Sequence, residues 1–229
     1  MDIIIQKMTF VDQLQKEAEL FLAGTALQLG GITILPKEIE AYYYQTDAFE
    51  DNSVHRNELQ QNNKNHFYIH RWGKTRSDAY KGGNYAGIDF VVSDSDNVYH
   101  TYLIRSALVN NEMVVGPHKV LEAIGKQSCL VYPEIEESDV EVVSCSVAGD
   151  IMFSSRINLG KTVLEEYRAY KLRAVLCDEN FRESLYPAKE KMVTDYLIKK
   201  VQAKSMTKEQ ASQYAKNCLG YIPSSIKAL

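Results

Sequence analysis

The chain has 229 residues, of which 45% are hydrophobic, and a formal net charge of −4. Such a length and apolar content suffice for one domain with a sizeable core, while the acidic balance gives no bulk attraction to nucleic acid, so any such role must rest on a local patch. Its four cysteines, Cys129, Cys145, Cys177 and Cys218, lie far apart with no Cys-x-x-Cys pair, which argues against a zinc site.

Charge interrupts the N-terminal Met1-Asp2-Ile3-Ile4-Ile5-Gln6-Lys7 before a secretory apolar core can form, and no apolar run reaches membrane length. A cytoplasmic location with reduced thiols is therefore expected. From Phe10 to Leu22, Leu14, Ala18, Phe21 and Leu22 recur at helical spacing, which predicts an amphipathic helix ended at Gly24. Two strand-like runs follow, residues 25–29 and 32–35, joined by Gly30-Gly31, a pair suited to a tight hairpin. Pro36 then predicts a bulge or an edge position before the strand resumes at Ile39. The polar stretch 47–64 reads as a long loop. Residues 87–92 and 98–108 around the turn 93–97 predict a second hairpin, and residues 141–147 and 172–176 two more strands. Gly116-Pro117 opens a short helix over 118–124. Beyond Pro187, Met192, Val193, Tyr196, Leu197 and Val201 predict a helix, and Thr207 with Gln210 a capping box for another that stops near Gly220 and Pro223. The predicted fold is a single α+β domain over residues 1–186, with a mixed, mainly antiparallel curved sheet flanked by helices. Residues 187–229 form a helical extension packed on the same domain.

Glu40 is the first residue with a chemical claim. A carboxylate beside tyrosines at the end of a half-apolar strand can be held in a pocket away from bulk water, as hydrolysis of an N-glycosidic bond requires. The same residue could equally serve as a hydrogen-bonded structural carboxylate. Between residues 64 and 81 lie Lys64, Arg71, Lys74, Arg76 and Lys81 against one acid, Asp78, with Phe67, Tyr68, Trp72 and Tyr80 interleaved. This is either an ordinary solvated face or a nucleic-acid contact. Arg105 inside the apolar run Leu103-Ile104-Arg105-Ser106-Ala107-Leu108 is costly unless paired.

Taken in order, Glu40-Ala41-Tyr42, the basic aromatic stretch from His66 to Trp72, Leu103-Ile104-Arg105 with Ala107-Leu108, Gly116-Pro117-His118-Lys119 and Ser155-Arg156-Ile157 resemble the alkyladenine (3-methyladenine) DNA glycosylase family over roughly residues 18–180. The resemblance implies that Glu40 activates a water, that Arg105 helps hold it, and that Tyr42 and His55 sandwich a flipped-out base. His55-Arg56-Asn57 is displaced by a few residues from the family's pattern, and a solvated loop residue is the other reading of His55. Where the family places an Asn that lines the base pocket, this chain has Asp89 after a glycine-rich insertion, and an acceptor-only carboxylate reads a base edge differently from an amide. By the same resemblance Trp72 is a wedge that fills the gap left by the flipped nucleotide, unless it is a core residue. Arg71, Lys74, Arg76, Lys81 and Lys119 become DNA contacts; the segment around Lys119 could instead simply start a helix.

The resulting expectation is a monomeric, monofunctional DNA glycosylase that needs no metal or organic cofactor, binds DNA and has no membrane partner. Two alternatives stand beside it: a non-catalytic binder of modified nucleic acid on the same scaffold, which would not need Glu40, and a free-nucleoside hydrolase, which would leave the basic patch and Trp72 without purpose.

Overall fold

A computed structural model describes residues 2–72, 85–182 and 186–229, with the backbone alone at residues 2–8, 71, 72 and 85. Among these residues the chain is mixed α+β, an open antiparallel sheet of ten strands with helices packed against it and a helical C-terminal region. The N-terminal helix α1 (Asp2–Gly24) buries Val11, Leu14, Ala18 and Leu22. The hairpin of β1 (Thr25–Leu29) and β2 (Ile32–Gln45) turns on Gly30 and Gly31, both at positive φ, 54° and 80°. After β3 (Phe49–Glu50) come β4 (Phe67–Trp72), β5 (Tyr85–Val91), β6 (Val98–Val109) and β7 (Glu112–Val115). Helices α2 (Pro117–Ser128) and α3 (Tyr132–Glu137) precede β8 (Glu141–Ser144) and β9 (Asp150–Ser154), and α4 (Glu165–Ala169) precedes β10 (Arg173–Cys177). The chain closes with α5 (Lys189–Gln202), α6 (Lys208–Leu219) and α7 (Ser224–Lys227).

The strand order is β4-β5-β6-β2-β1-β8, and the side of β2 away from β6 is shared by β1, β10 and β3, with β9 beyond β10. Strand β2 thus sits at the centre of the sheet. Its pairing with β6 runs Pro36↔Ala107, then Glu38↔Ser106, then Ile39↔Ile104, so Lys37 on one strand and Arg105 on the other are extra residues in a pair of bulges. A bulge residue reverses the alternation of everything beyond it. The apolar side of β2 accordingly passes from Ile32 and Ile34 to Ile39, Ala41 and Tyr43, and that of β6 from Tyr102 and Ile104 to Ala107 and Val109. Pro36 stands at this irregularity, as its missing N–H predicts.

One face of the sheet is apolar and covered by α1 and α2, through Phe67, Ile69, Ile88, Phe90, Ile104, Val120, Leu121 and Ile124 near α2 and Ile39, Ala41, Tyr102, Leu14 and Leu22 near α1. The C-terminal helices pack Met192, Val193, Leu197, Ala211 and Ala215 against Met152 and Val175 of β9 and β10. The capping box at Thr207 and Gln210 is present, and α6 ends at Gly220 in the left-handed region.

The polar stretch 47–64 differs from the loop that its composition predicts. Phe49 is fully buried against Phe10, Tyr43, Tyr167 and Tyr170, β3 pairs with the end of β2, and Asn57 caps a short 3-10 turn over Glu58–Gln60. Strands β4, β7 and β9 and helices α3, α4 and α7 have no counterpart among the elements that the sequence predicts. No helix among the described residues is long and apolar enough to cross a membrane.

Candidate functional site

The face of the sheet opposite α1 and α2 carries the polar residues, beside the part of it that the C-terminal helices cover. Directly opposed residues share a face, so the register puts Tyr68 with Asp89, His70 with Gly87, Asp89 with Leu103, Glu40 with Leu103, and Arg173 with Glu40 on this one surface. The segments around residues 51–60 and 156–164 cover it. Asn52 ties the two covers together: its Nδ2 donates to Thr162 O at 3.0 Å and its Oδ1 accepts from Leu164 N at 3.0 Å.

Glu40 is fully buried and accepts three hydrogen bonds. Tyr42 Oη donates to Oε2 at 3.1 Å, Arg105 NH1 to Oε2 at 3.3 Å, and the backbone N–H of Ile157 to Oε1 at 2.8 Å. Burial, followed by the charge of Glu40, pushes the Tyr42 phenol well above its ordinary pKa, so the hydroxyl keeps the proton it donates. Arg105 also reaches Glu38, whose carboxylate binds Arg173 Nε at 2.7 Å and Ser106 Oγ at 2.7 Å. Arg105 is therefore paired within the sheet, which is how its place in an apolar strand is tolerated.

Beside this cluster lies a small cavity of about 70 Å³ lined by Tyr42, His55, His70, Asp89, Asn158 and Leu159 among others, room for a few waters. Three residues that the sequence singles out for base binding, Tyr42, His55 and Asp89, meet in its wall although they come from β2, the 51–60 segment and β5. His55 is exposed and lies against Tyr68 Oη with Nδ1 at 3.1 Å. Asp89 is buried, with Oδ1 3.0 Å from His70 Nδ1 and Oδ2 accepting from Thr101 Oγ1 at 3.0 Å. Glu40 itself does not line the cavity; Tyr42, whose hydroxyl donates to it, does.

His70 owes its position to a glycine. A β-carbon at Gly87 would fall 2.5 Å from His70 Cε1 and 2.6 Å from Nε2, closer than real contacts allow, so the imidazole lies over residue 87 only because no side chain is there. The sequence places His70 in the basic stretch and gives no hint of its role in the pocket; the signal is the bare glycine at position 87, legible only once β4 and β5 are registered.

Arg156 is the second residue that pattern reading leaves without a role. Its side chain is fully buried, its NH1 lies 2.7 Å from Asp51 Oδ2 and 3.2 Å from Ala41 O, its NH2 donates to Tyr167 O at 3.0 Å, and its guanidinium lies 4.7 Å from the centre of the Tyr42 ring. It braces Tyr42 from one side. Four buried carboxylates, Glu38, Glu40, Asp51 and Asp89, thus meet three guanidiniums, Arg105, Arg156 and Arg173, in this part of the fold.

The expected DNA contacts divide differently. Arg71 and Trp72 end strand β4, the strand next to Asp89, but their side chains lie outside the described residues, as do Lys74, Arg76 and Lys81 altogether. Lys119 is exposed on α2 and lines a separate groove with Glu122, Lys126 and Tyr132; α2 covers the apolar face of the sheet, so Lys119 is not brought to the pocket. Among the described residues no group of three or more His, Cys, Asp or Glu side chains is placed to hold a metal. Comparison of the chain with protein-family models and with curated protein sequences finds no match to either.

Proposed function

We propose that the protein hydrolyses the N-glycosidic bond of a damaged or modified base turned out of DNA, as the resemblance to alkyladenine DNA glycosylases implies. One observation carries the reading. A fully buried carboxylate, Glu40, held by Tyr42, Arg105 and the Ile157 N–H, adjoins a cavity whose wall collects an aromatic platform, Tyr42, with two histidines and a second carboxylate. In this reading the base stacks on Tyr42, an interaction worth about 1 to 3 kcal/mol, and a water replaces the Tyr42 hydroxyl on Glu40. The water attacks the anomeric carbon, its proton passes to Glu40, and the bonding pair leaves with the base. The carboxylates gathered there suit the positive charge that develops on the sugar.

That Glu40 does not line the cavity favours a second reading, a pocket that holds a modified base without cleaving it. One experiment separates the two. Duplex oligonucleotides, each carrying one alkylated, deaminated or otherwise modified base, are incubated with the protein and abasic sites are cleaved with alkali, while binding is followed on the same duplexes. Hydrolysis predicts strand breaks with at least one modified base and a loss of about 10²-fold or more in Glu40→Gln, which keeps the shape but cannot accept the proton. Binding without strand breaks establishes the second reading, and full activity in Glu40→Gln removes Glu40 from the mechanism.

A further inference from the structure

Away from this pocket, two cysteines that are distant in sequence meet. Cys177 ends β10, Cys218 lies in the last turn of α6, and their sulfur atoms are 3.2 Å apart. Both are free thiols, both are buried, and both line an open cleft with Gly149, Asp150, Asp178, Arg182 and Tyr214. The cleft brings small solutes to the sulfurs. Gly149 makes it possible: a β-carbon there would lie 2.7 Å from the Cys177 carbonyl oxygen, so the loop can lie against the end of β10 only without a side chain. The two thiols are not equivalent. The hydrogen bond between them pulls the Cys218 thiol below its ordinary pKa, with help from Tyr214 and Lys189, whereas the same hydrogen bond and burial push Cys177 up.

We propose that Cys177 and Cys218 form a reversible dithiol–disulfide site whose oxidant is a hydroperoxide. The chemistry follows from the contact of the two sulfurs at 3.2 Å beside an open cleft, with Cys218, the thiol pulled down, as the nucleophile. Cys218 Sγ attacks the terminal peroxide oxygen, the O–O bond breaks, and the alcohol or water leaves, so that Cys218 becomes a sulfenic acid. Cys177 Sγ then attacks Cys218 Sγ, the S–O bond breaks, and the Cys177 proton leaves with the hydroxide as water. Two thiols lose two electrons to one peroxide, and an external dithiol reverses the step by exchange. The bond would join α6 to β10 around a loop 41 positions long that contains α5. Its other anchor matters for the protein as a whole, since β10 also supplies Arg173 to Glu38 and lies opposite Glu40.

The site is independent of what the pocket binds, and its test needs no substrate. The full-length protein is treated with hydrogen peroxide, quenched, digested without reduction and mapped by mass spectrometry, with Cys129 and Cys145 as internal comparisons. The expected result is a Cys177–Cys218 linked peptide that forms before Cys129, the exposed thiol, is oxidised, disappears on treatment with dithiothreitol, and raises the melting temperature by several degrees. Cys177→Ser should stop the reaction at a sulfenic acid on Cys218, trapped by dimedone. Oxidation of Cys129 first, with Cys177 and Cys218 still alkylatable, overturns the proposal in the unmodified protein, whatever the variants do. So does dimedone labelling of Cys177 in Cys218→Ser at the rate seen for Cys218 in Cys177→Ser.

Discussion

Arg156 stacks on the ring of Tyr42 at 4.7 Å and is at the same time ion-paired with Asp51 at 2.7 Å, with both charged side chains fully out of solvent. The aromatic platform of the pocket is thereby tied to a covering segment more than a hundred positions away from Arg156. Replacing Arg156 by Met should leave Asp51 buried without its partner, at a cost of about 3 to 5 kcal/mol. Urea unfolding measures it. The double variant Arg156→Met, Asp51→Leu should recover much of that loss, because an apolar pair carries no stranded charge. A single variant as stable as the parent would show that the pair does not hold the segment.

Gly87 and His70 make a second pair whose effects should not add. Gly87→Ala forces the His70 ring off its place beside Asp89, and overpacking of this kind costs about 1 to 3 kcal/mol. In a His70→Ala background the methyl group meets only Leu103 Cδ1, at 3.1 Å, so the same substitution should cost much less. A double-mutant cycle with a coupling below about 0.5 kcal/mol would mean that the ring moves aside freely.

His100 sets an acid limit to stability. It is packed edge-on between Tyr43 and Tyr102 on the helix-covered face, and burial lowers its pKa from 6.5 to about 4. Between those values the unfolded chain binds a proton that the folded protein refuses, so stability is fully present above pH 6.5 and falls as the pH drops towards 4. At 1.36 kcal/mol per unit the loss is about 3 kcal/mol. His100→Phe should flatten the stability profile across that window while leaving the slopes outside it unchanged. An unaltered profile would assign the acid sensitivity to other groups.

The net charge of −4 makes the basic stretch a sharp test of DNA binding. Neutral substitution of Lys74, Arg76 and Lys81 together should weaken duplex binding about equally for different sequences and lower the log–log salt slope by about 0.9 for each phosphate left without a cation. Unchanged affinity and slope would move the nucleic-acid surface elsewhere and bring the free-nucleoside hydrolase to the front.

Local chemistry is legible in the sequence; long-range pairing is not. Gly30-Gly31 announces its hairpin because both residues need positive φ, and Thr207 with Gln210 announces α6 because a capping box is completed within four residues. Strand β9 escapes because it pairs with β10 alone and its burial pattern buries only Met152 well. The 47–64 segment reads as polar because Phe49 and Asp51 act singly, one in the core and one under Arg156, with no period to reveal them. Around the pocket, Glu40, Tyr42, His55 and Asp89 can be picked out one at a time, but the Arg156 brace and the His70–Gly87 fit depend on proximities that no spacing encodes.

The paired bulges at Lys37 and Arg105 act as a parity device for the sheet. Before them β2 points its even-numbered residues at α1 and α2; after them it points its odd-numbered ones, which leaves Glu38, Glu40 and Tyr42 on the polar face, where Tyr42 lines the pocket. Deleting Lys37 alone would exchange the two sets, sending two carboxylates and a phenol into the helix-packed core and turning Ile39, Ala41 and Tyr43 towards the pocket. A change of one residue in length at this point is therefore more damaging than many changes of identity, and the position of the chemistry along β2 is counted from the bulge, not from the start of the strand.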